Sequence, residues 1–356
     1  MSRFHPLHVI EIRRETPDSV SIRFDVPEAL KPAFAFEPGQ YLTLRTTIEG
    51  EDIRRSYSIS SGVNENSLRV GVRRVEGGAF STYANESLKP GDLLEVMPPE
   101  GRFTPRSVGA RHVLCIAAGS GITPVLSIAK SLLACNEVVS VTLVYGNRTT
   151  SSVMFAEEIE DLKNRYLGRF VVIHILSREA QDVTLLSGRI TVERLSELGN
   201  GIIDFASVNE AFLCGPEGMI AAAKEVLETY GIAADSIRKE LFTPSARRRI
   251  SSLHTPVRKM QDIVAHLFVT LNGRTGAFDM RSGDDNLIDA AARAGIDLPY
   301  SCKNGMCCTC RCKVTAGAVE MAVNYSLETW ETKAGFVLAC QAKPTTANVS
   351  LDFDEL

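Results

Sequence analysis

The sequence contains no apolar run of the roughly 18 residues that a membrane-crossing helix requires. Its opening, MSRFHPLHVIEIRRE, lacks the unbroken apolar core of a secretion signal. Basic residues are not in excess: 39 Lys and Arg against 43 Asp and Glu give a net charge of −4. These absences argue against a helical membrane span, against export and against nucleic acid as the main partner. No internal repeat and no long low-complexity tract is present, which sets repeat architectures aside. A reducing, cytoplasmic setting is the expectation, where thiols bind metal or do chemistry rather than cross-link.

What is present suits a soluble globular chain: 356 residues, 44% hydrophobic and 23% charged. At about 150 residues per domain this length predicts two or three domains. Residues 1–107 read as short β segments, SVSIRFDV, QYLTLRTTI, RRSYSISS, LRVGVRRV and DLLEVMPP, separated by Gly, Pro and Asn. Closely spaced strands of this kind predict an antiparallel β-barrel. Residues 108–243 change texture, with apolar strands such as HVLCIAA, VVSVTLVYGN and RFVVIHILS alternating with helical stretches such as MFAEEIEDLKNRY. That alternation predicts an α/β domain with a parallel, doubly wound sheet. Residues 244–262 carry Pro, Ser and Arg without period, including ARRRI, and read as a solvated linker. Residues 263–356 form a compact α+β domain with six of the nine cysteines, closing on LDFDEL, which reads as a solvated end.

SCKNGMCCTCRC, residues 301–312, holds five cysteines. Cys302, Cys307 and Cys310 are spaced C-x4-C-x2-C, with Cys340 following at a distance. This is the spacing of plant-type [2Fe–2S] proteins. A loop bearing three thiolates and a remote fourth can clamp two irons from both ends, and Gly305 lets the backbone bend around them. Zinc sites favour two C-x2–4-C knuckles, whereas here the far partner is a lone cysteine. A catalytic dithiol from Cys307 and Cys310 would leave Cys302 and Cys340 idle. The two surplus cysteines, Cys308 and Cys312, are expected to be small buried hydrophobes. Cys115 and Cys135 are expected in the core.

Two further motifs lie in the barrel region. RRSYSIS places Arg55 and Tyr57 on one face of a strand and Ser56 and Ser58 on the other. An aromatic ring can stack on a flat cofactor, an arginine can meet a phosphate, and a hydroxyl can bond a ring edge. In EGGAFSTY, Gly77 and Gly78 lead into Ser81 and Thr82 at a helix start, where free amides can seat a pyrophosphate.

The middle region carries its own set. AAGSGITP puts Gly119, Ser120 and Gly121 directly after a strand, with Thr123 expected as the N-cap and Pro124 at the first helical position. The pattern is not G-x-G-x-x-G, so an ordinary Rossmann enzyme is disfavoured. LCGPEGM places Cys214, Gly215 and Pro216 at a later strand's carboxyl end, where open sheets bind ligands. Ser177 and Arg178 end another strand, and a hydroxyl beside a cation suits a 2′-phosphate. Arg148 and Arg189 are weaker phosphate candidates.

RSYS, GAFS, AGSGITP and CGPEG together resemble the ferredoxin–NADP reductase superfamily, here followed by a plant-type [2Fe–2S] domain. EGGAFSTYANE, AGSGITPVLSI and NGMCCTCRCKVTAG are similar, within it, to the reductase subunits of bacterial phenylacetyl-CoA epoxidases. The resemblance implies FAD in the barrel, NADPH on the α/β domain and Cys214 beside the nicotinamide. It also implies, from RKELF, that Phe242 stacks on the flavin side and that Glu240 is a polar or proton-transfer group near it. The implied acceptor is a di-iron oxygenase acting in phenylacetate breakdown, fed one electron at a time through the cluster. Rival readings are a reductase for another oxygenase or for a hybrid-cluster protein, and a non-catalytic redox sensor.

Overall fold

In a computed structural model, residues 4–106, 111–243 and 262–355 are described. The chain forms two compact units, Met1–Ser245 and Ala246–Leu356. The expected linker with its ARRRI run lies outside the described residues, apart from Asp262.

The first unit opens with β1 (His5–Thr16), β2 (Ser19–Asp25), β3 (Tyr41–Ile48), β4 (Glu51–Ser58), β5 (Leu68–Arg73), α1 (Ala79–Glu86) and β6 (Leu93–Val96). The strands pair in the order β4-β3-β6-β1-β2-β5, all antiparallel. An antiparallel bridge between Ile59, just past β4, and Val70 of β5 joins the two edges and closes the sheet. Alternation drives this closure: inward Leu7, Val9, Ile22, Leu42, Leu44, Val70 and Val72 are all fully buried. β1 adds a strand that the sequence pattern does not announce. Register shifts at Val9/Glu11 and Arg14/Thr16 break its period, and its second half is charged.

Next come β7 (His112–Ala118), α2 (Ile122–Cys135), β8 (Ser140–Asn147), α3 (Ala156–Arg165), β9 (Phe170–Leu176), α4 (Val192–Gly199), β10 (Glu210–Pro216), α5 (Glu217–Thr229) and β11 (Ile237–Thr243). The sheet is wholly parallel, in the order β11-β10-β7-β8-β9. The chain therefore builds outward from β7 in one direction and then returns to build from β10 in the other. The crevice between the carboxyl ends of β7 and β10 is the switch point at which such sheets bind ligands.

Three expectations change here. Thr123 is not the N-cap and Pro124 is not the first helical residue: Gly119–Gly121 winds as a 3-10 turn, so α2 starts at Ile122 with Gly121 as N-cap and Pro124 third. Thr123 sits in the first turn and donates its hydroxyl to the Ser120 carbonyl at 3.0 Å. Cys135, expected in the core, is exposed, because it is the last residue of α2 and lies beyond the helix's packed face.

The second unit comprises β12 (Ile263–Leu271), β13 (Arg274–Arg281), α6 (Leu287–Arg293), β14 (Arg311–Ala316), β15 (Val319–Met321), α7 (Thr329–Lys333), β16 (Phe336–Leu338), β17 (Ala342–Pro344) and β18 (Asn348–Asp352). A mixed sheet β13-β12-β18-β14-β16 packs Leu267, Val269, Leu338 and Leu351 against Leu287, Ile288 and Ala291 of α6, and β15 pairs with β17. The tail is not a solvated end. Leu351 and Phe353 are buried, and the Asp354 carboxylate accepts the Asn272 and Gly273 amides at 2.7 Å each. Alternation carries the last strand into the core and leaves its acids to cap a turn.

Candidate functional site

The cysteine loop is bent by three positive-φ residues, Lys303 (51°), Gly305 (75°) and Cys308 (57°). At Gly305 a Cβ would press 3.2 Å from Gln341 Cγ and 3.3 Å from the Val323 carbonyl oxygen. The Gly305 carbonyl accepts the Tyr325 amide (3.1 Å) and the Ser326 hydroxyl (3.2 Å). Thus pinned, the loop sets its thiols against each other in two pairs. A hydrogen bond from Cys307 leads in holding the Cys302 thiol down to about 7, and it drives Cys307 the opposite way. Cys340 is likewise lowered by its bond with Cys310, which is raised.

Two thiols for each of two irons is what a [2Fe–2S] cluster asks of a protein. The donor set fits that group: amide hydrogens already point at sulfur, from Asn304 N–H to Cys302 Sγ at 3.3 Å and from Gln341 Nε2 to Cys340 Sγ at 3.6 Å. Gln341 Nε2 also reaches the Lys303 carbonyl at 2.9 Å, tying the remote cysteine's turn between β16 and β17 to the loop.

Cys312 is fully buried, as expected of a small hydrophobe, and burial pushes its thiol up. Cys308 departs from that expectation. It is half-buried, packed against the edge of the second unit's core from a left-handed backbone position.

In the first unit, residues far apart in sequence converge. The Ser58 hydroxyl at the end of β4 donates to Glu240 Oε2 on β11 at 3.4 Å. Glu240 pairs in register with Cys214 on β10. Cys214 in turn packs under the 3-10 turn after β7, so tightly that a Cβ on Gly121 would lie 2.2 Å from the Cys214 carbonyl oxygen. Burial raises the Cys214 thiol well above its usual value, and the Glu240 charge adds to this, so the group stays protonated at neutral pH. Gly215 holds φ +158° with Met219 Cε 2.7 Å from where a Cβ would stand, and Pro216 caps α5. Phe242 is half-buried against the core beneath α2.

The barrel contributes a second edge. Tyr57 lies 5.4 Å from the Phe80 ring at 36°, and burial pushes its phenol up, opposed by Arg55. Arg55 is exposed on the Tyr57 side, while Ser56 and the buried Ser58 lie on the other, Ser56 Oγ being 3.3 Å from Thr43 Oγ1. Gly77 turns at φ +69° with open space where a Cβ would be, and Gly78 caps α1. The Ser81 hydroxyl is committed to that turn, accepting from Val75 N–H and donating to the Gly78 carbonyl, both at 3.1 Å. Thr82, on the same first turn of α1, donates its amide to that carbonyl at 3.0 Å. A flat aromatic platform, a cation beside it and an open glycine turn at a helix start suit a flavin with its phosphates.

The glycine turn after β7, at the start of α2, offers free amides of the kind that suit phosphates. Sequence reasoning missed what holds that turn. Tyr145 donates its hydroxyl to the Gly119 carbonyl at 2.9 Å, and Arg73 of the barrel, paired with Asp18 at 2.9 Å, reaches Gly119. Asn147, 6% exposed beside the Tyr145 hydroxyl, finds no partner of normal geometry for either polar atom. Tyr145 and Asn147 end a parallel strand at the ligand-binding edge, the same signal that singled out Cys214.

Ser177 and Arg178 are exposed just past β9; the Ser177 hydroxyl and amide bond the Asn147 carbonyl, and Arg178 N–H bonds the Arg148 carbonyl at 2.8 Å. Glu179, next along, is drawn away. Thr150 grips its carboxylate through Oγ1 (2.6 Å) and N–H (2.8 Å), and these bonds hold it below the ordinary range. Arg189 is not drawn into this group; its carbonyl accepts from Arg194 Nε at 3.1 Å.

Comparison with known proteins follows this layout. Residues 6–104 match an oxidoreductase FAD-binding domain, 115–225 an oxidoreductase NAD-binding domain and 269–345 a 2Fe-2S iron-sulfur cluster binding domain. The chain is 43% identical to one subunit of the 1,2-phenylacetyl-CoA epoxidase of Escherichia coli (strain K12), over 99% of each chain. It is 34% identical to the ferredoxin reductase component of 3-ketosteroid-9-alpha-monooxygenase of Rhodococcus rhodochrous, covering 99% of this chain and 97% of the relative. Among solved structures, phthalate dioxygenase reductase shares the fold over 98% of both chains, with a TM-score of 0.59 at 20% identity.

Proposed function

The chain belongs to the family of oxygenase reductase components that join an FAD-binding, an NAD-binding and a 2Fe-2S domain, and on that premise we propose that it draws electrons from NADPH and delivers them singly to a di-iron oxygenase, the catalytic complex of a phenylacetyl-CoA epoxidase. It is an NAD(P)H-dependent oxidoreductase. The carrying observation for the acceptor is 43% identity along the whole chain to a phenylacetyl-CoA epoxidase component. We assign FAD to 1–107, the nucleotide to 108–243, a linker to 244–262 and the cluster to 263–356. Nine cysteines with no disulfide among the described residues favour a cytoplasmic setting.

FAD supplies the conversion the pathway needs, since a flavin takes two electrons as hydride and yields them one at a time to an iron–sulfur group. The chain's own residues do the rest. Tyr57 and Phe242 would confine the flavin ring, Arg55 its phosphates together with the turn of Gly77, Gly78, Ser81 and Thr82. Gly119, Ser120, Gly121 and Thr123 would seat the dinucleotide's phosphates on amides at the start of α2, with Gly215 and Pro216 closing the crevice from β10. Cys214, kept as a neutral thiol, would pack against the nicotinamide and exclude water without competing as a nucleophile. Ser58 Oγ and Glu240 Oε2 form the polar pair able to hold a proton at the flavin's reacting edge. Cys302, Cys307, Cys310 and Cys340 would ligate the cluster.

NADPH is favoured over NADH by Ser177 and Arg178, which offer a hydroxyl and a cation. The neighbouring acid, Glu179, is bound to Thr150 rather than presented to a ribose.

An anaerobic NADPH titration tests the pathway: flavin and iron–sulfur absorbance should bleach together, with one FAD and two irons per chain. The acceptor is tested by mixing with the catalytic components of a phenylacetyl-CoA epoxidase, where NADPH-driven O2 uptake should depend on phenylacetyl-CoA. Uptake restored only with a 3-ketosteroid 9α-monooxygenase would move the assignment to the relative at 34% identity.

A further inference from the structure

α2 is apolar on nearly every side and almost wholly buried, which marks a helix packed between layers. Its polar exceptions past the first turn, Ser127, Lys130 and Ser131, fall at i, i+3 and i+4 on one face. All three meet the barrel segment that directly follows β4. The Ser127 hydroxyl donates to the Ser61 carbonyl at 2.7 Å, and Val63 N–H donates to Ser131 Oγ at 3.1 Å. Lys130 Nζ reaches the Ser60 carbonyl at 3.5 Å and the Glu65 carboxylate at 3.1 Å.

Lys130 is only 4% exposed. A buried ammonium is strongly unfavourable unless paired, and here one carboxylate comes from each side of the seam. Glu65 belongs to the barrel and Glu158 to α3 of the nucleotide region, where it contacts Lys130 directly. Arg69 of β5 then grips both oxygens of Glu158 from the barrel at 2.7 Å each. Burial pushes the Glu158 carboxyl up, but Arg69 and Lys130 outweigh it and keep the acid ionised. Two glycines allow the approach. A Cβ on Gly62 would lie 3.0 Å from Lys130 Cβ, and one on Gly71 would lie 2.7 Å from Thr123 Cγ2.

The geometry of this seam has a functional reading. α2 begins at the turn assigned to the dinucleotide, and Ser60 stands two residues past Ser58 at the end of the strand assigned to the flavin. From Gly121 to Lys130 the helix rises roughly 13 Å at 1.5 Å per residue. One rigid rod therefore links the dinucleotide's phosphate turn, which packs directly on Cys214, to the segment that follows the flavin strand, and its far attachment is the Lys130 clasp. We propose that Lys130 is a positioning residue for hydride transfer: the central ion of a clasp that fixes the nicotinamide seat against the flavin seat while touching neither ring. This rests on the reductase reading above.

The test uses the full chain with both cofactors loaded and compares wild type with Lys130→Met, Lys130→Arg and Glu65→Gln. Anaerobic stopped-flow gives the limiting rate of flavin reduction over a range of NADPH. NADP+ titration gives affinity, and the long-wavelength charge-transfer absorbance of NADP+ bound to the dithionite-reduced flavin reports ring-to-ring approach separately from the rate. For Lys130→Met we expect full FAD and iron content, NADP+ affinity within about twofold, a weakened charge-transfer band and a limiting rate down about tenfold, the equivalent of 1.4 kcal/mol. Lys130→Arg should recover most of the rate and the band. Glu65→Gln, which keeps the Lys130–Glu158 contact, should show a smaller loss of both, and it decides the matter should Lys130→Met fail to fold. Variants that melt earlier yet keep the wild-type limiting rate and band would show a merely structural role and overturn the proposal. Wild-type flavin that NADPH leaves oxidised would instead overturn the reductase reading itself.

Discussion

Cys302, Cys307 and Cys310 reach their site from nine consecutive residues, whereas Ser58 and Glu240 meet across 182 positions of a different unit. The cysteine site is local, with one distant turn, between β16 and β17, adding Cys340 and Gln341. The flavin–nucleotide site is assembled by topology: a closed barrel, a parallel sheet that reverses between β7 and β10, and the seam along α2. A local site should tolerate or fail by itself. An assembled site should pass a disturbance to everything that shares its seam.

The sharpest way to break this contrast is Cys302→Ser. Iron–sulfur absorbance should be lost and electron delivery to the oxygenase should fall by about 100-fold or more, a barrier increase near 3 kcal/mol. NADPH-driven ferricyanide reduction should stay near wild type, and its collapse would deny the two units their independence. Next is Glu331→Gln. Glu331 is fully buried and bonds Arg311 at 2.8 Å, so removing its charge should cost the second unit about 3–5 kcal/mol. Calorimetry should show that unit's transition falling while the first unit's holds.

Ser58→Ala, which deletes the hydroxyl donating to Glu240, should slow flavin reduction by about 30-fold, the worth of a hydrogen bond to a charged group. Arg178→Ala should cut the proposed NADPH-over-NADH preference in kcat/KM by about tenfold with little change in stability. The smallest effects are expected from Cys308→Ala and Cys312→Ala, which should leave the visible cluster spectrum intact. Bleaching in either would reassign the ligands.

The same contrast explains what can be read in advance. The spacing of Cys302, Cys307 and Cys310 carries its own meaning, because a loop's chemistry is set by neighbours in sequence. The alternation of strand and helix after His112 likewise announces a parallel sheet. β1 escapes because its bulges interrupt the period, and Thr123 is misplaced because a 3-10 turn shifts the helix start. Cys135 goes astray because residue type suggests burial while its place at the end of α2 exposes it, and the tail because its acids suggest solvation while strand alternation buries Leu351 and Phe353. Within the site, Cys214 and Glu240 are legible from motif resemblance. Arg73, Tyr145, Gln341 and the Lys130 clasp are not, since each acts through partners that only the folded chain brings near.

The state of Cys214 has a practical corollary. A sulfhydryl sealed from water and kept un-ionised offers little to peroxide or to alkylating agents, because the anion is the reactive form. A flavoprotein thus keeps a thiol at the carboxyl end of β10 without exposing it to damage. Electrophilic labels should mark Cys135, at the surface end of α2, long before they reach it.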